Sequence, residues 1–355
     1  MRRNATIICD LQFGSTGKGA TAGYIATKKR PDTVVTAWSP NAGHTFIDRN
    51  GRKFVHCMLA NGVVSPALRR VMIAPGSIVN IDLLAKEIEQ CADLVEGREL
   101  IIHENAAIVK PHHLEREEAT MTGIGSTKKG SGAVLIEKIL RQRGSQVTTR
   151  TNSNEIESKL NDYMKTTIVD TAGWIRHLED SYEILVEGAQ GFSLGMNSGF
   201  YPFCTSRECT PAQIMSDTLI APNRVAKVIG VMRTFPIRVA NRYDENGKMI
   251  GYSGPGYADQ RELTWEKIGR EPEYTTVTKL QRRVFSFSWE QNKQALCICA
   301  PDEIYLSFCD YIPEEAAHEL KTKINRACRS RIGFGRGVVY MAFGPKISDV
   351  RECPY

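Results

Sequence analysis

The sequence predicts an α/β fold, and three observations lead there. An apolar, β-branched opening run ends in a glycine loop and passes into a helix-compatible stretch. Short apolar runs then alternate with amphipathic ones, and a second glycine-rich loop again leads into a helical pattern. Strands alternating with helices read as a sheet covered by helices on its faces.

Residues 5–11 form the first strand, Gly14-Ser-Thr-Gly-Lys-Gly19 the loop and residues 20–29 the helix. In that arrangement backbone amides and a helix N-terminus face a phosphate, with Lys18 adding positive potential. It is not a Walker A loop, since Gln12 stands at that pattern's first glycine and Gly19 at its Ser or Thr. Residues 33–37 read as a second strand, and segments 45–48 and 53–56 flank Asn50 and Gly51 as a hairpin. Strands over 71–74 and 100–103 bracket an amphipathic helix over 82–94. The second glycine loop, residues 123–132, precedes a helix over 133–143, so a second anion site is expected there. Further strands fall at 184–186, 225–232 and 303–308; Pro313 opens a helix over 313–329, and a last strand over 338–343 ends at Gly344 and Pro345. No linker or charge block interrupts the chain, which predicts one domain over 1–355.

The 355 residues are 42% apolar and 24% charged, and 46 basic against 40 acidic residues give +6. The cations are spread out, which suits small anionic ligands and argues against a nucleic-acid track. Ten cysteines include no Cys-x-x-Cys pair, so neither a zinc ribbon nor a thioredoxin-like site is expected, and reduced thiols point to the cytoplasm. Asp10 breaks the apolar run after the opening Met-Arg-Arg, and Asp302 and Glu303 break the most apolar later stretch, so neither an export signal nor a membrane helix is expected. His112, His113, Cys204 and Cys209 lack partners at ligand spacing, and no metal cage is assigned to them.

Three polar segments carry possible chemistry. Pro40-Asn-Ala-Gly-His-Thr45 places an amide, an imidazole and a hydroxyl together, and His44 is a candidate general acid, although a single histidine is more commonly structural. Thr205-Ser-Arg207, and Thr275-Thr-Val-Thr278 with Arg282 and Arg283, are hydroxyl and guanidinium clusters of the kind that hold phosphate or carboxylate.

These motifs, with Gly125-Ser-Thr127, Glu187-Gly-Ala-Gln-Gly191, Tyr201-Pro-Phe-Cys-Thr-Ser206 and Gly344-Pro345, resemble in order those of the adenylosuccinate synthetases. Over nearly the full length the chain is most similar to that family's bacteriophage branch, the 2-aminoadenylosuccinate synthetases. The resemblance implies a P-loop-NTPase-related fold with a large, mixed, mostly parallel central sheet. It also implies a ligase that couples dGMP and L-aspartate using ATP or dATP and Mg2+, supplying diaminopurine DNA synthesis in an infected cell's cytoplasm. Ser15 replaces the family's catalytic aspartate, so the N1 proton would pass to water, to the bound aspartate or to the phosphate donor. Ser15, Lys18, His44 and Gln190 are the implied catalytic residues. Gly17, Lys18, Gly19, Thr45, Phe308, Asp310, Gly344 and Pro345 would bind the donor. Ser15, Asn41, Ser126, Thr127, Gln190 and Thr205 would bind dGMP, joined by Arg141 from the other subunit of a homodimer. Thr276, Val277, Thr278 and Arg282 would hold aspartate, and Ser15 with the Gly43 carbonyl would ligate magnesium. The alternatives are the ordinary family reaction of IMP, aspartate and GTP, or an inactive nucleotide-binding protein. Ser15, Leu280 and Phe308 depart from the ordinary enzyme's pattern.

Overall fold

The computed structural model describes residues 2–120, 127–275, 279–331 and 335–353. Ser126, Thr276, Val277 and Thr278 lie outside them.

Among the described residues, ten strands form one sheet. In spatial order they are Val350–Glu352, Val338–Ala342, Glu303–Ser307, Val225–Arg233, Ala5–Asp10, Ile184–Glu187, Thr33–Thr36, Arg70–Ile73, Glu99–His103 and Lys165–Val169. All pairs are parallel except Val350–Glu352, which returns antiparallel along Val338–Ala342. Two of these strands, Lys165–Val169 and Val350–Glu352, are absent from the sequence reading; at the edges they are only partly buried and lack the continuous apolar pattern of the centre.

Successive strand residues point to opposite faces, and both faces are covered. Ile8, Val34, Val71, Leu100 and Leu185 belong to one core layer; Ile7, Cys9, Val35, Met72, Ile101 and Val186 belong to the other. This is why the central strands read as unbroken apolar runs. The helix expected over 82–94 is two, Ile81–Gln90 and Ala92–Val95, broken at Cys91. The Cys91 side chain is fully buried, its Sγ 3.3 Å from His56 Nε2 of the hairpin, so the chain turns there to meet the core.

The hairpin His44–Ile47 with Lys53–His56 packs on the first helix, Lys18–Lys29. A Cβ on Gly19 would lie 2.6 Å from the Thr45 carbonyl oxygen, so this glycine serves the close approach of hairpin and helix as well as the loop. Ala5–Asp10 lies between Ile184–Glu187 and Val225–Arg233, and the chain leaving Ile184–Glu187 crosses to the opposite flank. Such a reversal opens a crevice beyond the carboxyl ends of the strands.

Candidate active site

The loops at those strand ends enclose a cavity of about 910 Å³. After Ala5–Asp10 the chain passes through Gly14 at φ 83°, Ser15 at φ 53° and Gly17 at φ 91° before entering the helix. Gly17 caps that helix without a side-chain bond, leaving its first amides to an anion. Beneath the loop lies Asp10, to which the sequence reading assigns no role in the site. Its carboxylate accepts from the Gln12 amide at 2.8 Å, the Thr16 hydroxyl at 2.5 Å and Lys18 Nζ at 2.9 Å. Lys18 also donates to the Gln190 carbonyl at 2.6 Å, so two of its three donors are spent within the protein.

The cavity wall collects Ser15, Gly17, Lys18, Gly19, Asn41, Gly43, His44, Thr45, Thr127, Gln190, Thr205, Arg282, Phe308, Asp310, Gly344 and Pro345. Arg141 is not among them: it is exposed, ending the helix Ser131–Leu140. Distant segments meet directly in this wall. Arg282 Nη1 donates to Ser15 Oγ at 2.7 Å, and the Thr127 and Ser131 hydroxyls donate to Asn41 Oδ1 at 3.3 and 2.7 Å.

Fully buried Arg233, also missed from sequence, organises the far side. It donates to the Ser15 carbonyl at 3.0 Å, pairs with Glu273, and lies over the Phe308 ring, 3.7 Å from its centroid. Burial pushes the Glu273 carboxyl up; Arg233, Arg282 and the Tyr311 hydroxyl overcome it and leave the pKa below the usual carboxylate value. Only a strand ending in arginine marks this residue in the sequence. Burial, then Lys18 and His56, hold His44 well below the ordinary histidine pKa, so its imidazole is neutral.

The expected second anion site is corrected. The helix it would cap, Ser131–Leu140, follows Gly130 at φ 81°, but the buried Glu117 carboxylate accepts from the amides of Gly130 and Gly132 at 2.7 and 2.6 Å and from Ala133 at 3.3 Å. The protein's own anion fills that N-terminus.

His112, His113 and Glu137 bring ligand-type atoms within 4.8 Å of one another. The Lys110 amide donates to His113 Nδ1 at 3.0 Å, so the neutral ring carries its proton on Nε2 and donates to Glu137 at 2.8 Å. Glu137 is held at about 2 by the Ser145 hydroxyl and by His112. The cluster is a hydrogen-bonded clasp between two helices.

A family model described as adenylosuccinate synthetase matches residues 7–169 and 159–321. The chain is 49% identical over 356 residues to the N6-succino-2-amino-2'-deoxyadenylate synthase of Salmonella phage PMBT28, covering 98% of this chain and 97% of that one. It is 51% identical over 332 residues to the enzyme of that name from Acinetobacter phage SH-Ab 15497, covering 88% and 86%. The solved succinoaminodeoxyadenylate synthetase of cyanophage S-2L, bound to dGMP and to dATP as an energy donor, superposes with a TM-score of 0.89 at 38% identity, covering 100% of this chain and 97% of that one.

Two outcomes follow from this geometry. In Gly191→Ala the new Cβ would lie 2.6 Å from the Gln12 carbonyl oxygen and 2.7 Å from Asp10 Oδ1, forcing the phosphate loop to move. Isothermal titration should show nucleotide affinity falling by about 10²-fold. His56 is held at about 4, chiefly by burial, against about 6.5 unfolded. The unfolded state therefore takes up the proton first. The stability this group contributes is full above pH 6.5 and is lost as pH falls toward 4, so calorimetry should show Tm dropping across that window, with a shallower drop in His56→Gln.

Proposed function

The chain belongs to the adenylosuccinate synthetase family, and from that membership we propose that it joins L-aspartate to C6 of dGMP with cleavage of ATP or dATP. The observation that carries this reading is the single cavity in which Lys18, His44, Gln190 and Arg282 converge, with Arg282 hydrogen-bonded to Ser15. The γ-phosphoryl group would pass to O6 of dGMP as the N1 proton leaves, releasing ADP or dADP. The aspartate amine would then attack C6 and displace phosphate, giving 2-amino-2'-deoxyadenylosuccinate monophosphate.

In this reading Lys18 and the amides at Gly17 and Gly19 hold the donor phosphates, and Thr45 contacts them. Neutral His44 donates a hydrogen bond to the bridging oxygen as charge develops, and Gln190 steadies O6. Arg282 grips an aspartate carboxylate; Thr276, Val277 and Thr278, assigned to the same ligand, lie outside the described residues. Thr127, Thr205 and Asn41 surround the dGMP phosphate, with Ser126 next in sequence. Phe308, one face covered by Arg233, offers its ring to the donor base beside Asp310, Gly344 and Pro345. Leu280 also lines the cavity and offers nothing to a 2'-hydroxyl.

Magnesium fits as a partner of the donor phosphates. The wall offers the Ser15 hydroxyl and the Gly43 carbonyl, hard neutral oxygens, while the loop carboxylate Asp10 is taken up by Lys18. Ser15 and Gly43 would hold the ion, which would neutralise developing phosphate charge.

Dimer formation is also part of the proposal. Arg141 lies outside its own cavity, next to Ile136, Ile139 and Leu140, which are 42%, 69% and 55% exposed. This is the apolar surface a second copy would cover, with Arg141 reaching the partner's nucleotide. The chain would act as one catalytic unit in the cytoplasm. Its ten cysteines are free, and no helix among the described residues is long and apolar enough to cross a membrane.

Phosphate release measured with ATP, magnesium and aspartate should be fastest with dGMP among dGMP, GMP, dIMP and IMP, and Ser15→Asp should shift preference toward dIMP by about tenfold or more, a change of about 1.4 kcal/mol. A wild type preferring IMP with GTP would return the chain to the ordinary family reaction. Mixing inactive Arg141→Ala and Lys18→Ala proteins should restore about a quarter of wild-type activity through mixed dimers with one intact site, whereas a monomer would stay inactive.

A further inference from the structure

In the proposed reaction His44 acts on the bridging oxygen and Gln190 on O6, on either side of the transferring phosphorus, yet they come from separate segments. His44 opens the hairpin strand His44–Ile47, and Gln190 follows the sheet strand Ile184–Glu187. No side chain among the described residues hydrogen-bonds the His44 ring. What touches it is Trp38, whose indole lies flat on the imidazole with centroids 3.9 Å apart and planes within 9°. The Trp38 Nε1–H donates at 2.7 Å to the backbone carbonyl of Glu187, three residues before Gln190. Trp38 is 2% exposed and does not line the cavity. It stands behind His44, out of reach of any ligand there.

We propose that Trp38 is a positioning residue that sets the His44 ring in register with the Gln190 loop, so that the two donors meet the two ends of the transferring phosphoryl group. This deepens the ligase reading and rests on it. A stack alone fixes the plane of the imidazole but lets the pair slide. The indole N–H, buried and needing an acceptor, removes that freedom by fastening the pair to the end of a central strand.

That strand end is itself tied down. The Glu187 carboxyl accepts from the amides of Asn61 and Gly62 at 3.2 and 2.7 Å. At Gly188 a Cβ would lie 2.7 Å from the Ile8 carbonyl oxygen and 2.6 Å from Ile214 Cδ1, so sheet and helix press on it from both sides. Lys18 fixes the other end of the turn through the Gln190 carbonyl. Trp38 therefore couples His44 to a turn that is tied down at both ends.

A double-mutant cycle tests this. Trp38→Phe keeps an aromatic face and loses the anchor, and Trp38→Leu loses both. With dGMP, aspartate and ATP, kcat should fall by about tenfold and about 10²-fold respectively, while calorimetric Kd values for dGMP and ATP stay within about twofold. In a His44→Asn background, Trp38→Phe should cost nothing further, because the group it positions is gone. An equal loss of kcat in both backgrounds would assign Trp38 a purely structural role and overturn the proposal, as would unchanged kcat in both single variants. Should Trp38→Leu fail to fold, the Trp38→Phe cycle decides by itself. A wild type that makes no product from dGMP with any donor would remove the ligase reading, and the proposal with it; an active wild type indifferent to Trp38 would remove the proposal alone.

Discussion

The ion pair between Asp10 and Lys18 is the constraint on which the site is built. Its atoms are 2.9 Å apart, and both side chains are buried. Burying two charges is costly unless their remaining hydrogen-bonding capacity is used. Asp10 meets this with the Gln12 and Gly14 amides and the Thr16 hydroxyl, and Lys18 with the Gln190 carbonyl. Each of these bonds folds the glycine loop back on its own strand or ties it to the next. Ser307, whose hydroxyl donates to the Thr16 carbonyl at 2.5 Å, fastens the loop from the other flank. The loop is thereby shaped before a phosphate arrives, so little ordering remains to be done on binding.

Above this base Ser15 sits between two arginines, one on its carbonyl and one on its hydroxyl. Arg233 is neutralised by Glu273 and clamps the loop through the Ser15 carbonyl. Arg282 reaches Ser15 Oγ with one nitrogen and the Tyr274 carbonyl with another. A carboxylate at position 15 would pair with Arg282 and occupy its charge. In the proposed reaction a neutral hydroxyl would leave that charge to an incoming dicarboxylate, and would leave a smaller side chain beside the purine. One replacement would then alter base recognition and amino-acid recognition together.

Much of this was legible in the sequence, and the misses share a cause. Lys18, His44 and Arg282 stand in polar or glycine-rich segments that the sequence singles out, Gln190 and Phe308 follow from the family resemblance, and all reach the cavity. Asp10, Arg233 and Trp38 lie inside or beside apolar runs, where a polar or aromatic residue looks like a strand terminator or core filler. Their roles depend on partners far along the chain: Gln190 for the Asp10–Lys18 pair, Glu273 for Arg233, Glu187 for Trp38. The two glycine loops show the same limit from the other side. Both read as loop then helix, but Glu117, thirteen residues before Gly130, caps the second helix with a carboxylate, and only the folded chain brings it there.

The sequence by itself determined the α/β class, the central parallel strands, the phosphate loop and the family, because these rest on local periodicity, on glycine placement and on ordered motifs. Tertiary structure alone decided which helix N-terminus stays open to an anion, which cation is already matched, and what orients His44. Those outcomes depend on burial and on hydrogen bonds between distant segments. A buried charge or N–H must find a partner, and which partner lies within 3 Å is set by how the sheet brings its strand ends together.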